Sequence, residues 1–236
     1  MISANTFRSP GGISLLIASC ATFILLAFHP HIHPESTAQM LRQLADPALG
    51  GQSAHVHGAI IAVFGLLLVG VIELAHVLGL RRTAVGFGLA VYALGSAAVA
   101  VAMLFDGFIT SQLASVLLQK VDAGENASQV LDAAPSVFAL VSVLIQVFTK
   151  AGSCAMGIGM ACLSWSARSR ARALAWLGLA ALLPPLATIG SGVWLGRHQL
   201  MAVALCQALW YLAAAAFLLR HCAKGKQVET LVANTY

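Results

Sequence analysis

The sequence predicts an all-α, polytopic membrane bundle of about six transmembrane helices with both ends on the cytoplasmic side. Three observations carry this. Hydrophobic residues make up 59% of the 236 and charged residues only 9%, against roughly a quarter charged in a soluble domain. Those apolar residues fall into six runs, each about long enough for the bilayer core, which takes about 20 helical residues. Lys and Arg, finally, gather on alternate connections. With a mean hydropathy of +0.87, water is excluded as the main solvent, and residues 1–236 read as one transmembrane domain.

The first run, Gly12 to Phe28, follows Arg8. Ile17-Ala18-Ser19-Cys20 resembles a lipoprotein cleavage box, but the run continues to Phe28, the length of a retained span. The second and third runs, His57 to Leu80 and Thr83 to Phe105, are joined by Arg81-Arg82 and must be antiparallel neighbours. The fourth, Pro135 to Trp165, precedes the pair Ala173 to Leu195 and Leu200 to Leu219, whose short connection forces the same arrangement. In the outer loop 29–56, Ser36 and Gln39 have capping-box spacing and Met40, Leu41 and Leu44 follow at helical intervals, predicting a short interfacial helix. Phe108 to Leu118 continues the third helix or turns along the surface until Asp122-Ala123-Gly124-Glu125-Asn126 breaks it. Asn126-Ala127-Ser128 matches a glycosylation sequon.

Small residues four apart, Gly86 with Ala90, Ala93 with Ala97, and Ser153, Gly157 and Ala161, predict close helix packing. Pro184-Pro185 removes backbone donors in mid-membrane and predicts a kink or break in the fifth helix. The five cysteines, Cys20, Cys154, Cys162, Cys206 and Cys222, form no CxxC pair and read as packing residues rather than a disulfide framework.

Nine basic residues (Arg8, Arg81, Arg82, Arg168, Arg170, Arg172, Arg220, Lys224 and Lys226) fall on one side, against Arg42, Lys120 and Arg197 on the other. The richer side is expected in the cytoplasm, which in a bacterium makes this a multi-pass protein of the inner membrane. The net charge of +5 is then a topological signal, and nucleic-acid binding is not expected. The expected partners are the lipid bilayer and a lipid-soluble small molecule, and a homo-oligomer is compatible with the small-residue stripes.

Six of the eight histidines map to the outer side: His29, His31, His33, His55, His57 and His198. Pro30 and Pro34 interrupt any helix through the first three, so an extended segment would turn them to one side, and His55 with His57 are expected to converge at the mouth of the second helix. Asp106 is the carboxylate at the same level. Imidazoles with one carboxylate suit zinc, copper or iron in an open site. Interfacial histidines on solvated loops, with Asp106 capping the Gly107 turn, are the plainer alternative.

His29-Pro30 after helix one, a histidine opening helix two and Asp106-Gly107-Phe108 closing helix three resemble a loose group of uncharacterised bacterial multi-span membrane proteins. The resemblance covers roughly the first half of the chain. It implies the fold and an outward site of His29, His55 or His57, and Asp106, while His31 and His33 stand outside the pattern.

A second polar set lies towards the cytoplasmic side. Glu73 and His76, three apart, share a helix face, and counting down from His57 and Pro135 brings Glu73 and Lys150 to about the same depth, some 23 to 24 Å. A structural Glu73–Lys150 ion pair or snorkelling is the expectation there, with a proton relay of Glu73, His76 and Lys150 as the alternative. One site cannot contain both sets.

The leading functional expectation is therefore an outer transition-metal site serving metal handling or metal-dependent chemistry on a lipid-soluble substrate. The alternatives are a proton-coupled transporter built on Glu73, His76 and Lys150, a b-type haem protein using His29, His57 or His198, and a non-catalytic assembly or lipid-binding protein. No Walker loop, dinucleotide fingerprint or nucleophile elbow is present.

Overall fold

The computed structural model describes residues 9–28, 35–124, 126–190 and 197–233. Regular structure among them is entirely helical: α1 (Pro10–Ala27), α2 (Thr37–Ala45), α3 (Pro47–Leu78), α4 (Thr83–Leu104), a π-helical turn (Phe105–Ile109), α5 (Thr110–Asp122), α6 (Ala127–Ser166), α7 (Arg172–Gly190) and α8 (Arg197–Ala233). Six helical stretches are long and apolar enough to cross a membrane, namely Pro10–Ala27, Pro47–Leu78, Thr83–Asp122, Ala127–Ser166, Arg172–Gly190 and His198–Ala223. The chain is a multi-span integral membrane protein.

Helix starts follow local chemistry. Ser9 caps α1 by accepting from the Gly12 amide at 2.9 Å, with Pro10 in the first turn. Asp46 caps α3 by accepting from the Ala48 amide at 2.8 Å, with Pro47 in the first turn. That start lies ten residues before the apolar run expected from His57, and α6 likewise begins at Ala127 and passes through Pro135.

The six spans form a ring in chain order. α1 packs on α3, α3 on α4, α4 on α6, α6 on α7, α7 on α8, and α8 closes on α1, with sparse contact across the ring. Because lipid is as apolar as leucine, helices associate through close packing and hydrogen bonds. The α4–α6 contact shows this best. A Cβ at Gly95 would lie 2.6 Å from the Gly152 carbonyl oxygen, and one at Gly159 would lie 2.6 Å from that of Gly88. These glycines are seven apart on both helices and pair in antiparallel register, so the working spacing is a heptad, supplemented by Gly157, whose missing Cβ admits Leu182 of α7. Polar contacts join the far side: the Tyr92 and Tyr211 hydroxyls meet at 2.9 Å, and Trp210 Nε1 donates to Ser164 Oγ at 2.5 Å.

The stretch from Thr83 to Asp122 and the stretch from Ala127 to Ser166 are 40 residues each, about 60 Å of helix against a core of about 30 Å. Both run past the histidine-rich end of the ring, where α2 packs on them. Leu41, Ala114, Ala134 and Phe138 form a second small core there. The expected α2 is present, with Gln39 N donating to Ser36 Oγ at 3.2 Å, but α5 and α6 take its apolar face. α7 runs on through Pro184 and Pro185, where Thr188 Oγ1 donates to the Pro185 carbonyl at 2.7 Å. The expected break is absent.

Gly95→Ala should lower stability in detergent by about 1–3 kcal/mol, the usual cost of overpacking, because its Cβ meets backbone. Gly65, with nothing within 4 Å of a built Cβ, is the control, and thermal unfolding of the two alanine variants measures the difference.

Candidate functional site

The early start of α3 decides the fate of its histidines. Both His55 and His57 are helical, and two residues apart in a helix means about 200° of rotation. His55 is exposed and its ring Nδ1 bonds the Gly51 carbonyl at 2.6 Å. His57 points inward and is fully buried. The expected convergence of His55 with His57 does not occur.

His57 meets Asp106 instead. Nε2 of His57 lies 3.1 Å from Oδ2 of Asp106, and Nδ1 lies 2.7 Å from the Ser53 carbonyl oxygen, with Ser53 Oγ at 3.3 Å. The π-helical turn presents the carboxylate. Thr110 closes it, its backbone amide donating to the Phe105 carbonyl and its hydroxyl donating to the same oxygen at 2.8 Å. Gly107 makes room for the imidazole, since a Cβ there would stand 2.4 Å from Cβ of His57. Asp106 is thus no simple cap of a Gly107 turn, because the helix continues through it.

These distances fix the proton inventory. A carbonyl oxygen only accepts, so Nδ1 carries a hydrogen and donates to Ser53. Nε2 then faces a carboxyl oxygen, and a contact at 3.1 Å between two lone pairs would be repulsive. One proton therefore sits between Nε2 and Oδ2, as imidazolium with carboxylate or as imidazole with carboxylic acid. Either way the metal-free pair is neutral overall.

The pair stands between two spaces. Towards the histidine-rich end Asp106 lines a cleft of about 290 Å³ with Gln43, Ser53, Thr110, Ser111 and Ser142. On the membrane side, one turn on from His57 and Asp106, Ile60, Phe64, Met103 and Val99 line a central cavity of about 100 Å³. Tyr211, bonded to Tyr92, lies at its foot.

The remaining candidates behave differently. His198 is exposed at the start of α8. His29, His31 and His33 lie outside the described residues, although Phe28, which precedes them, has its carbonyl 3.4 Å from Gln52 Nε2, near Ser53. Among the described residues no group of three or more His, Cys, Asp or Glu side chains is placed to hold a metal. Glu73 commits its carboxylate to the start of α1, accepting from the Ser9 hydroxyl and from the Gly11 amide at 2.5 Å. His76 is exposed and bonds the Ile72 carbonyl through Nδ1 at 2.8 Å. Lys150 sits on α6, which α4 separates from α3 in the ring. The expected Glu73–Lys150 pair is therefore replaced by a helix cap, and the three-residue inner relay is not assembled.

Sequence reasoning did not single out Ser53 or Thr110, and it read Gly107 as a turn rather than as the space for an imidazole. Asp46-Pro47 was the available signal for the first, because it starts the helix that carries Ser53 four residues before His57. Comparison with protein-family models, curated proteins and solved structures found no match.

A double-mutant cycle on unfolding in detergent should find His57→Ala and Asp106→Ala coupled by about 1–2 kcal/mol, modest because the Asp106 side chain keeps 36% exposure. Strictly additive effects would show that the contact contributes nothing.

Proposed function

We propose that the His57–Asp106 pair is the working centre of this protein and that it takes up a divalent transition metal, zinc, copper or iron, at the histidine-rich end, for metal handling or metal-dependent chemistry on a lipid-soluble molecule. One observation carries the reading. Nε2 and Oδ2 stand 3.1 Å apart, a fitting separation for two adjacent ligands each about 2.0–2.2 Å from a common ion. The Nδ1 donation to the Ser53 carbonyl supports it, since metal-bound histidines characteristically hold their second nitrogen in this way. The remaining positions belong to water or substrate, with His29, His31 and His33 as candidate further ligands because Phe28 is tethered near Ser53. The arginine-rich end is assigned to the cytoplasm and the centre to the outer face of a bacterial inner membrane.

The same lone pairs hold a proton when no metal is bound, so metal uptake releases it and affinity rises with pH. This gives a second reading, in which the pair is itself the proton carrier of a coupled transporter, replacing Glu73, His76 and Lys150 in that role. A haem reading has less support. The central cavity is smaller than the roughly 150 Å³ that holds one benzene molecule, and Nε2 of His57 is already engaged.

Metal content of the purified protein decides between these. Near-stoichiometric metal is expected in the wild type, with loss in His57→Ala and Asp106→Ala and retention in His55→Ala. A wild type without metal after exposure to zinc, copper and iron would reject the metal reading and leave the proton carrier.

A further inference from the structure

The two spaces flanking the pair differ in chemistry in a way that describes a ligand. The outer cleft offers hydroxyls from Ser53, Thr110, Ser111 and Ser142 together with two acceptor groups, the Asp106 carboxylate and the Gln43 side-chain carbonyl. Oε1 of Gln43 is fully buried and has no hydrogen-bond partner. An unmet acceptor of this kind is costly, and it is met by a ligand that donates a hydrogen bond. Among the described residues no lysine or arginine lines the cleft, so its own side chains offer no fixed cation to an anionic head.

The central cavity has the opposite character. Its walls are mainly aliphatic and aromatic, and among the described residues no charged one lines it. Its polar groups are partly committed, Gln207 Nε2 donating to the Ser153 carbonyl at 3.4 Å and Tyr211 bonding Tyr92. It lies within the membrane-spanning part of the ring, beside hydrocarbon. A volume of about 100 Å³ accepts a short length of apolar chain.

We infer that the protein binds an uncharged amphiphile with a hydrogen-bond-donating, hydroxyl-bearing head in the outer cleft and the first part of its apolar chain in the central cavity, so that the two meet at Asp106. This rests on the pair being the working centre, and it names the class of molecule presented there. Asp106 lines the cleft and Met103, one turn away on the same helix face, lines the cavity. The inferred molecule spans from the cleft to the cavity past these two residues, with the junction of its head and chain at the pair.

The test uses the whole protein in lipid nanodiscs with a long-chain alkyl alcohol carrying a diazirine near its hydroxyl end, and the matching carboxylic acid as comparison. Saturable photolabelling by the alcohol at Met40 of the cleft and Met103 beside the pair, with little by the acid, is expected. Gln43→Leu should weaken the alcohol's half-saturation about fivefold, the effect of losing one neutral hydrogen bond. Labelling that never saturates and stays on outward-facing residues such as Leu94, Leu140 and Trp176 overturns the proposal, as does preference for the acid. The wild-type result stands even where Gln43→Leu fails to fold. Metal content on the same samples separates the two readings: saturable labelling without metal rejects the metal centre alone, and metal without saturable labelling rejects the amphiphile alone.

Discussion

Backbone contact between α4 and α6 is the constraint on which the rest of this structure depends. Gly95 against Gly152 and Gly88 against Gly159 bring two helices close enough for each carbonyl to approach the other's Cα, an arrangement that supplies weak Cα–H···O contacts and close packing where the hydrophobic effect supplies nothing between helices. α4 ends in the π-helical turn, so fixing α4 also fixes Asp106. The ring then closes around a half that is filled by Tyr92, Trp210 and Tyr211, all buried, and the central cavity lies between them and the histidine-rich end. The cavity is a consequence of where the large residues stop.

The two polar sets of the bundle have separated into different tasks. At the arginine-rich end Glu73 meets free amides at the start of α1, where a carboxylate is favoured both by hydrogen bonding and by the helix dipole. Its chemistry is consumed by anchoring. Gly11 has no side chain, which the carboxylate requires, since a Cβ there would lie 2.6 Å from Oε2 of Glu73. At the other end His57 has one nitrogen anchored and one turned to a carboxylate that still reaches a cleft. The second arrangement leaves a carboxylate facing open space, and that difference is the ground on which the working centre is proposed there.

Much of this was legible in the sequence. Six spans follow from hydropathy alone, because exposing peptide groups to hydrocarbon leaves helices as the economical solution for long apolar runs. The meeting of His57 with Asp106 was foreseeable as one of several outward combinations. Hydropathy placed the start of α3 at the first apolar residue, whereas the cap chemistry of Asp46-Pro47 sets it ten residues earlier, so both His55 and His57 are helical and two residues of rotation part them. Spacing by four found Gly157, which admits Leu182 of α7, but it missed Gly88, Gly95, Gly152 and Gly159, which meet at intervals of seven. Glu73 was paired with Lys150 by depth, and depth carries no information about position around a ring. The π-helical turn has no sequence rule, although a Gly after an Asp inside an apolar helix marks a place where the backbone is asked for something unusual.

The most direct measurement is nitrogen-15 NMR of the protein labelled at histidine, followed through addition of zinc. Nδ1 of His57 should appear protonated and hydrogen-bonded throughout, while Nε2 passes from a proton shared with Asp106 to a metal-bound shift, a change that Asp106→Asn alters in the starting state. A spectrum in which Nδ1 of His57 carries no hydrogen, or in which Nε2 is indifferent to the metal, would contradict this account of the centre.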